Sequence, residues 1–303
     1  MKIIIILILL IILLYRKKNI CEKYNNNKIA FIFLTIGEIK QYKIWDLFFK
    51  SAYNYNIYVH PKYPDQIKSF FKKYIIKKQV QTSWGHVSLV NATNLLIKEA
   101  INDENNKKII LVSDSCIPIK TYDFIYNAVF EDNKSWFNYY SPNILEGSTT
   151  HLNRIKSLDP YIKNHAYIHE QWMILDRQHA NILNNNTHYI SYFIKDNLFP
   201  DEMYFITLLH LLNPNIKNEL KFKKTSRLNY LKHDYITFAK WYDSKTKLLY
   251  MYHPYEFNKM CKEDVELLKN SKALFARKFL KDSDIIDYWY YIINNSNTSK
   301  KIT

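Results

Sequence analysis

Short, continuous apolar runs alternate along this chain with stretches that carry apolar residues on one helical face, and this alternation constrains the fold more than any other feature. Ile29–Leu34 is an unbroken apolar run of strand length. It is followed by Gln41–Tyr53, in which Trp45, Leu47, Phe48 and Phe49 form a broad helical face. Ile57–Val59 reads as a second short strand, stopped by His60 and Pro61. Val87–Ala100 reads as a helix, Ile109–Val112 as a buried strand and Thr121–Val129 as the next helix. This order predicts an α/β fold with a largely parallel sheet. The second half adds a strand at Trp172–Leu175, a helix at Arg177–Leu183 and a helix from Pro200 to Leu212. A strand at Lys247–Met251, a helix at Glu263–Leu268 and a closing strand at Ala273–Phe279 complete the pattern. There is no internal repeat and no linker, so a single domain is expected over 29–293, with a polar tail at 294–303.

Only three glycines occur, Gly37, Gly85 and Gly147, and they lie far apart. Backbone can cradle a phosphate only where side chains do not obstruct its approach, which takes at least two glycines at fixed spacing. Neither a dinucleotide fingerprint nor a Walker-type loop can therefore be present, and any bound diphosphate must be held by side chains. The 43 basic and 28 acidic residues leave a net charge of +15. The lysines are spread along the chain, and no zinc-finger spacing, RNP-like motif or basic heptad region accompanies them, so no nucleic-acid partner is expected. Cys21, Cys116 and Cys261 form no C-x-x-C pair and no metal-ligand spacing, and no metal site is expected from them.

At the N-terminus, Met1 and Lys2 precede thirteen apolar or aromatic residues, Ile3 to Tyr15, and then Arg16, Lys17 and Lys18. As a helix this run is about 20 Å long, short of the roughly 30 Å hydrocarbon core of a bilayer. No small-residue cleavage site follows it, so we read residues 1–18 as an uncleaved signal-anchor and 19–28 as a short stem.

Open α/β sheets bind ligands beyond the carboxyl ends of their strands. Val59-His60-Pro61, Trp84-Gly85-His86, Ser113-Asp114-Ser115-Cys116 and Ala276-Arg277-Lys278-Phe279 all fall at such ends. The last sets two cations in an apolar frame, which suits a diphosphate as well as it suits a solvated strand edge. In Pro200-Asp201-Glu202 the carboxylates are candidate acids or bases, or ordinary helix-start chemistry.

Taken in order, these blocks resemble glycosyltransferase family 14. The matching residues are Phe31-Ile32-Phe33-Leu34-Thr35, Ile57-Tyr58-Val59-His60-Pro61, Trp84-Gly85-His86-Val87-Ser88-Leu89-Val90 and Leu111-Val112-Ser113-Asp114-Ser115-Cys116-Ile117-Pro118. They continue with Gln171-Trp172-Met173-Ile174-Leu175-Asp176-Arg177, Pro200-Asp201-Glu202, Thr237-Phe238-Ala239-Lys240-Trp241, His253-Pro254 and Leu274-Phe275-Ala276-Arg277-Lys278-Phe279. That family contains the core-2/I-branching β-1,6-N-acetylglucosaminyltransferases, peptide O-xylosyltransferases and a large plant branch.

The resemblance implies a GT-A-like, Rossmann-type domain behind an N-terminal membrane anchor, usually in the Golgi, that transfers a sugar from a UDP-sugar with inversion to a glycan or glycoprotein acceptor. Glu202 matches the catalytic base and Lys278 the diphosphate-binding lysine, with Arg277 beside it. His60, Trp84, Gly85, Asp114 and Ser115 fall on the donor side, and Glu170, Gln171 and Trp172 on the acceptor side, where an aromatic ring suits the apolar face of a sugar. Ser113-Asp114-Ser115 supplies one carboxylate where a metal-binding Asp-x-Asp would supply two, so cations in place of a metal cofactor are expected to stabilise the leaving UDP. The family's branching enzymes carry a second diphosphate-binding arginine about twenty residues before the lysine. Here His253-Pro254-Tyr255-Glu256-Phe257 contains none, so His253 or a residue outside the matched blocks must take that role. The alternative function is a non-catalytic glycan- or polyanion-binding protein that retains the fold.

Overall fold

The computed structural model describes residues 26–141, 155, 158–193, 199–223, 236–241 and 253–296. The N-terminal anchor and most of its stem, the strand expected at 247–251 and most of the C-terminal tail lie outside the described residues. Among the described residues, no helix is long and apolar enough to cross a membrane.

Strand β1 (Lys28–Thr35) is the centre of the molecule, buried along nearly its whole length. Its side chains alternate between two cores, as the two-residue strand period requires. Ile29, Phe31 and Phe33 enter one core, and Ala30, Ile32 and Leu34 enter the other. On the first side lies helix α1 (Tyr42–Lys50), whose Trp45, Phe48 and Phe49 pack on Phe31. Edge-to-face ring pairs of this kind contribute about 0.5–1.5 kcal/mol each beyond simple burial. On the other side lies α2 (Ser88–Ile101), which buries Val90, Leu96, Ile97 and Ala100.

β1 pairs in parallel with β2 (Tyr55–Pro61) and with β3 (Asn106–Ser113). After β3 the simple alternation stops. A two-residue strand β4 (Ile117–Pro118) and helix α3 (Tyr122–Val129) lead to β5 (Ser135–Tyr140). The short helix α4 (Pro160–Lys163) precedes β6 (Ile168–Asp176), which runs antiparallel to both β3 and β5. Helix α5 (Arg177–Asn185) starts where the Asp176 carboxylate accepts the Gln178 N–H at 3.0 Å, a regular N-cap. Helices α6 (Tyr204–Leu212) and α7 (Ile216–Glu219) then lead to β7 (Leu220–Lys223), parallel to β5. The strand order is β2-β1-β3-β6-β5-β7, so the sheet is mixed.

A second, three-stranded sheet, in the order β4-β9-β8, is made by β4, β8 (Thr237–Ala239) and β9 (Phe275–Arg277). Helices α8 (Lys262–Asn270) and α9 (Ile286–Asn295) contribute Val265, Leu268, Trp289 and Ile292 to the same core as α1. Two indole hydrogen bonds attach these layers to the β3–β4 connection. Trp45 Nε1–H donates to the Cys116 carbonyl at 2.9 Å and Trp289 Nε1–H to the Pro118 carbonyl at 2.8 Å. Both are buried, and leaving such a group unpaired costs about 1–3 kcal/mol.

Candidate functional site

The registers Leu34↔His60 and Leu34↔Ser113 set the carboxyl ends of β1, β2 and β3 level with one another. β6 runs the opposite way, with Ile110 opposite Ile174, so its first half, including Glu170, Gln171 and Trp172, lies at the same edge. Strand β9 delivers Arg277 and Lys278 beside it through its antiparallel pairing with β4, immediately after Cys116. Hydrogen bonds lock three of these segments together. The Lys40 N–H donates to the Asp114 carbonyl at 2.9 Å, and the Phe279 N–H donates to the Ser115 carbonyl at 3.0 Å. The Gln41 side-chain amide donates to the Leu280 carbonyl at 2.6 Å.

Arg277 is the hub of the site. Its guanidinium carbon lies over the Trp172 ring, 4.8 Å from the centroid, a cation–π contact. Burial works against its charge, and Cys116, Asp114, Glu202 and Glu170 support it. Burial also raises the Cys116 thiol, which is therefore neutral, so the three carboxylates are the effective counter-charges. They come from the β3 end, the 200–202 turn and β6, so one side chain links both sides of the site. Its Nε is buried and has no hydrogen-bond partner among the described residues. A buried donor in this state has capacity for a further acceptor.

Lys278 faces a different partner. Its ammonium lies 2.7 Å from the Glu256 carboxylate, on the 253–257 segment that β9 holds alongside through the Phe257 N–H to Lys278 carbonyl bond at 2.8 Å. The Lys278 hydrogen bond holds the Glu256 carboxyl below its usual range, with further help from Lys40 and His253. Asp114, 8% exposed, is pushed the other way by burial, against the charges of Lys40, Arg277 and Lys278 and a long hydrogen bond from the Ile36 N–H at 3.4 Å.

Glu202 is half-buried at the end of a 3₁₀ turn, Pro200–Glu202. The single helix expected from Pro200 to Leu212 is broken here, because Met203, with φ −136°, separates the turn from α6. Phe199 opens the turn in the left-handed region, φ 60° and ψ 51°, which is costly for a residue with a Cβ. Its N–H donates to the Gly85 carbonyl at 2.9 Å. Gly85 has φ +68°, and a Cβ there would meet the Phe199 ring at 3.0 Å. Trp84, 74% exposed, touches the same ring edge-on at 4.7 Å and lies 6.1 Å from His253. The Trp84–Gly85 loop thus braces the residue that starts the Glu202 turn.

His60 is fully buried, with Nε2 accepting the Val80 N–H at 3.1 Å, and burial lowers its pKa. Ser115 is also buried, its hydroxyl 3.1 Å from that of Ser113. Glu170 and Gln171 are half-buried, and Glu170 accepts from the Asn138 amide at 2.9 Å. Trp172 was expected to offer a ring face to an acceptor sugar. It is 4% exposed, and one face carries Arg277. Among the described residues, no group of three or more His, Cys, Asp or Glu side chains could hold a metal ion. Sequence reasoning missed Lys40, Glu256 and Phe199. Lys40 was within reach of the argument, since it follows directly on the carboxyl end of the first strand. Nothing local marks Glu256 or Phe199.

The chain can also be compared with known proteins. The family described as Core-2/I-Branching enzyme matches residues 29–270, most of the chain. A relative named Glycosyltransferase BC10, from Oryza sativa subsp. japonica, is 24% identical over 167 residues, which is 52% of this chain and 40% of the relative's length. This chain therefore aligns with less than half of that protein. A solved structure of an active-site mutant of LgtC is similar at 10% identity and a TM-score of 0.38, covering 69% of this chain and 75% of its own. On the breadth of the family match, the chain belongs to the core-2/I-branching enzyme family.

Proposed function

We propose that this chain is an inverting, GT-A-like glycosyltransferase that moves a sugar, GlcNAc or xylose, from a UDP-sugar to a hydroxyl of a glycan or glycoprotein acceptor. Glu202 is the general base. The acceptor oxygen attacks the sugar's C1 and forms the new C–O bond while its proton passes to the Glu202 carboxylate. The bond from C1 to the diphosphate breaks on the opposite face, and UDP leaves with the electron pair. Lys278 and Arg277 stabilise the charge that accumulates on the leaving group, without a metal. Trp172 acts by orienting Arg277, and Trp84, Gly85, Asp114 and Ser115 form the donor side. His60 supports that side from within the core, and Glu170 and Gln171 border the acceptor. The apolar run at 3–15 would hold the domain at a Golgi-type membrane, facing the lumen.

One observation carries this reading: Arg277, held over the Trp172 ring, has its charge supported from both sides of the site, by Glu202 and by Asp114. A cation shared in this way suits a reaction in which negative charge moves from one side to the other. The test is Glu202→Gln, assayed for transfer from a panel of UDP-sugars and for UDP binding by calorimetry. Transfer should disappear while UDP affinity is retained. Undiminished transfer would remove Glu202 as the base. The wild-type assay in EDTA should proceed at full rate, and activity lost in EDTA and restored by Mn²⁺ would overturn the metal-free part.

A further inference from the structure

The donor site as described contains two cations, and the 253–257 segment supplies no arginine to add a third. A third cation is nevertheless present in space. Lys40 lies in the loop after β1, at the carboxyl end of the central strand. Its N–H is bonded to the Asp114 carbonyl at 2.9 Å. The next residue, Gln41, is bonded through its side chain to the Leu280 carbonyl at 2.6 Å and the Lys281 carbonyl at 3.3 Å, just beyond Lys278. The Phe279 N–H to Ser115 carbonyl bond, at 3.0 Å, closes the triangle. The chain at Lys40 is thus tied to the Asp114 segment by its own backbone and to the segment after Lys278 by the side chain of Gln41.

The side chain is less committed than the backbone. Lys40 is half-buried, and among the described residues its ammonium makes no ion pair within 4.0 Å. Its charge is felt by both Asp114 and Glu256, the two carboxylates that also face Lys278. Two lysines thus act on the same pair of carboxylates, from segments tied to one another by hydrogen bonds. Glu256 is the counter-ion of Lys278. A diphosphate carries two or more negative charges on adjacent phosphoryl groups, and two ammonium groups on rigid loops match it better than one.

We propose that Lys40 is a diphosphate-binding residue that acts with Lys278. On this assignment Lys40 and Lys278 bracket the diphosphate, Arg277 faces the reacting end, and Glu256 gives up Lys278 when the nucleotide enters. The inference rests on the donor reading above, and the experiment separates the two. Full-length wild type, Lys40→Ala, Lys40→Gln, Lys40→Arg and Lys278→Ala are titrated with UDP and with uridine. Lys40→Ala should bind UDP about tenfold more weakly, with uridine affinity unchanged, because only the diphosphate meets the ammonium. Lys40→Gln keeps a polar side chain with half of the aliphatic stem and no charge, and should show the same selective loss. Lys40→Arg should recover most of the UDP affinity. If both neutral variants bind UDP like wild type while Lys278→Ala does not, Lys40 is not part of the site and the donor reading survives. If they lose uridine as much as UDP, the lysine is structural and the proposal fails. No binding of UDP by the wild type would overturn the donor reading and this inference together.

Discussion

The guanidinium of Arg277 lies over the indole of Trp172, 4.8 Å from the ring centroid, although 104 residues separate them in sequence. Trp172 comes from the large sheet and Arg277 from the small one, so this contact is where the two sheets meet at the site. The indole holds the guanidinium in a place where Asp114, Glu202 and Glu170 all support its charge.

Arg277→Lys should therefore be damaging even though it preserves charge. An ammonium neither stacks on the indole as a flat group nor presents a fork of donors. Transfer measured as kcat/KM should fall at least tenfold, while the melting temperature moves by only a few degrees. Activity equal to wild type would show that any cation over the Trp172 ring suffices.

Gly85→Ala tests the brace on the Glu202 turn. The new methyl group would sit 3.0 Å from the Phe199 ring at a φ of +68°, a region that side chains with a Cβ rarely adopt. Denaturant melts should show a loss of about 1–2 kcal/mol. Turnover should fall further than the unfolded fraction explains, because Phe199 begins the turn that carries Glu202. If turnover tracks the folded fraction alone, the brace has no catalytic consequence.

Glu256→Gln should tighten UDP binding severalfold. The carboxylate, 2.7 Å from the Lys278 ammonium, competes with the incoming diphosphate and repels it. Calorimetry with UDP at low and high salt would measure this. Weaker binding in the variant would instead mean that Glu256 positions Lys278.

Acid stability has a separate source at the opposite edge of the sheet. Asp103 accepts from the Lys28 ammonium at 2.8 Å, the Asn56 amide at 2.8 Å and the Asn105 N–H at 2.9 Å. Partial burial opposes its charge, but these bonds and the Lys28 charge outweigh that and lower its pKa from 3.8 to about 2. A carboxylate whose folded pKa is depressed contributes stability above its unfolded pKa and loses it as pH falls through the folded value. Wild type should therefore melt above Asp103→Asn at pH 5, with the gap closing between about pH 4 and pH 2. A gap that stays constant over that range would rule out titration of Asp103 as its cause.

Some elements were legible in the sequence because their pattern is local. β1 is covered on both faces, so its run is continuously apolar, and the helix patterns of α1, α2 and α3 repeat every three to four residues. β5 was not legible, because Ser135 and Asn138 interrupt its apolar run. Both are fully buried. Ser135 is paired through its hydroxyl with His179 at 2.7 Å, and Asn138 donates to Glu170 at 2.9 Å. β4 and β8, two and three residues long, are too short to show any period. The break at Met203 was hidden for another reason: Pro200 and an apolar run look like one helix start, whereas Phe199 is held by Gly85, far away in sequence.

By itself the sequence determined the α/β class, the absence of a glycine-built phosphate loop, and the strand-end segments where chemistry could sit. It also carried the family resemblance, because collinear short blocks survive as local strings. Only the tertiary structure decided which of those residues lie together and against which partners. It set Arg277 against Trp172, gave Lys278 to Glu256, and brought Lys40 up to both Asp114 and the chain beyond Lys278. The physical reason is range. Periodicity and turn chemistry act over a few residues, whereas charge acts through space between segments that only strand pairing and core packing bring together.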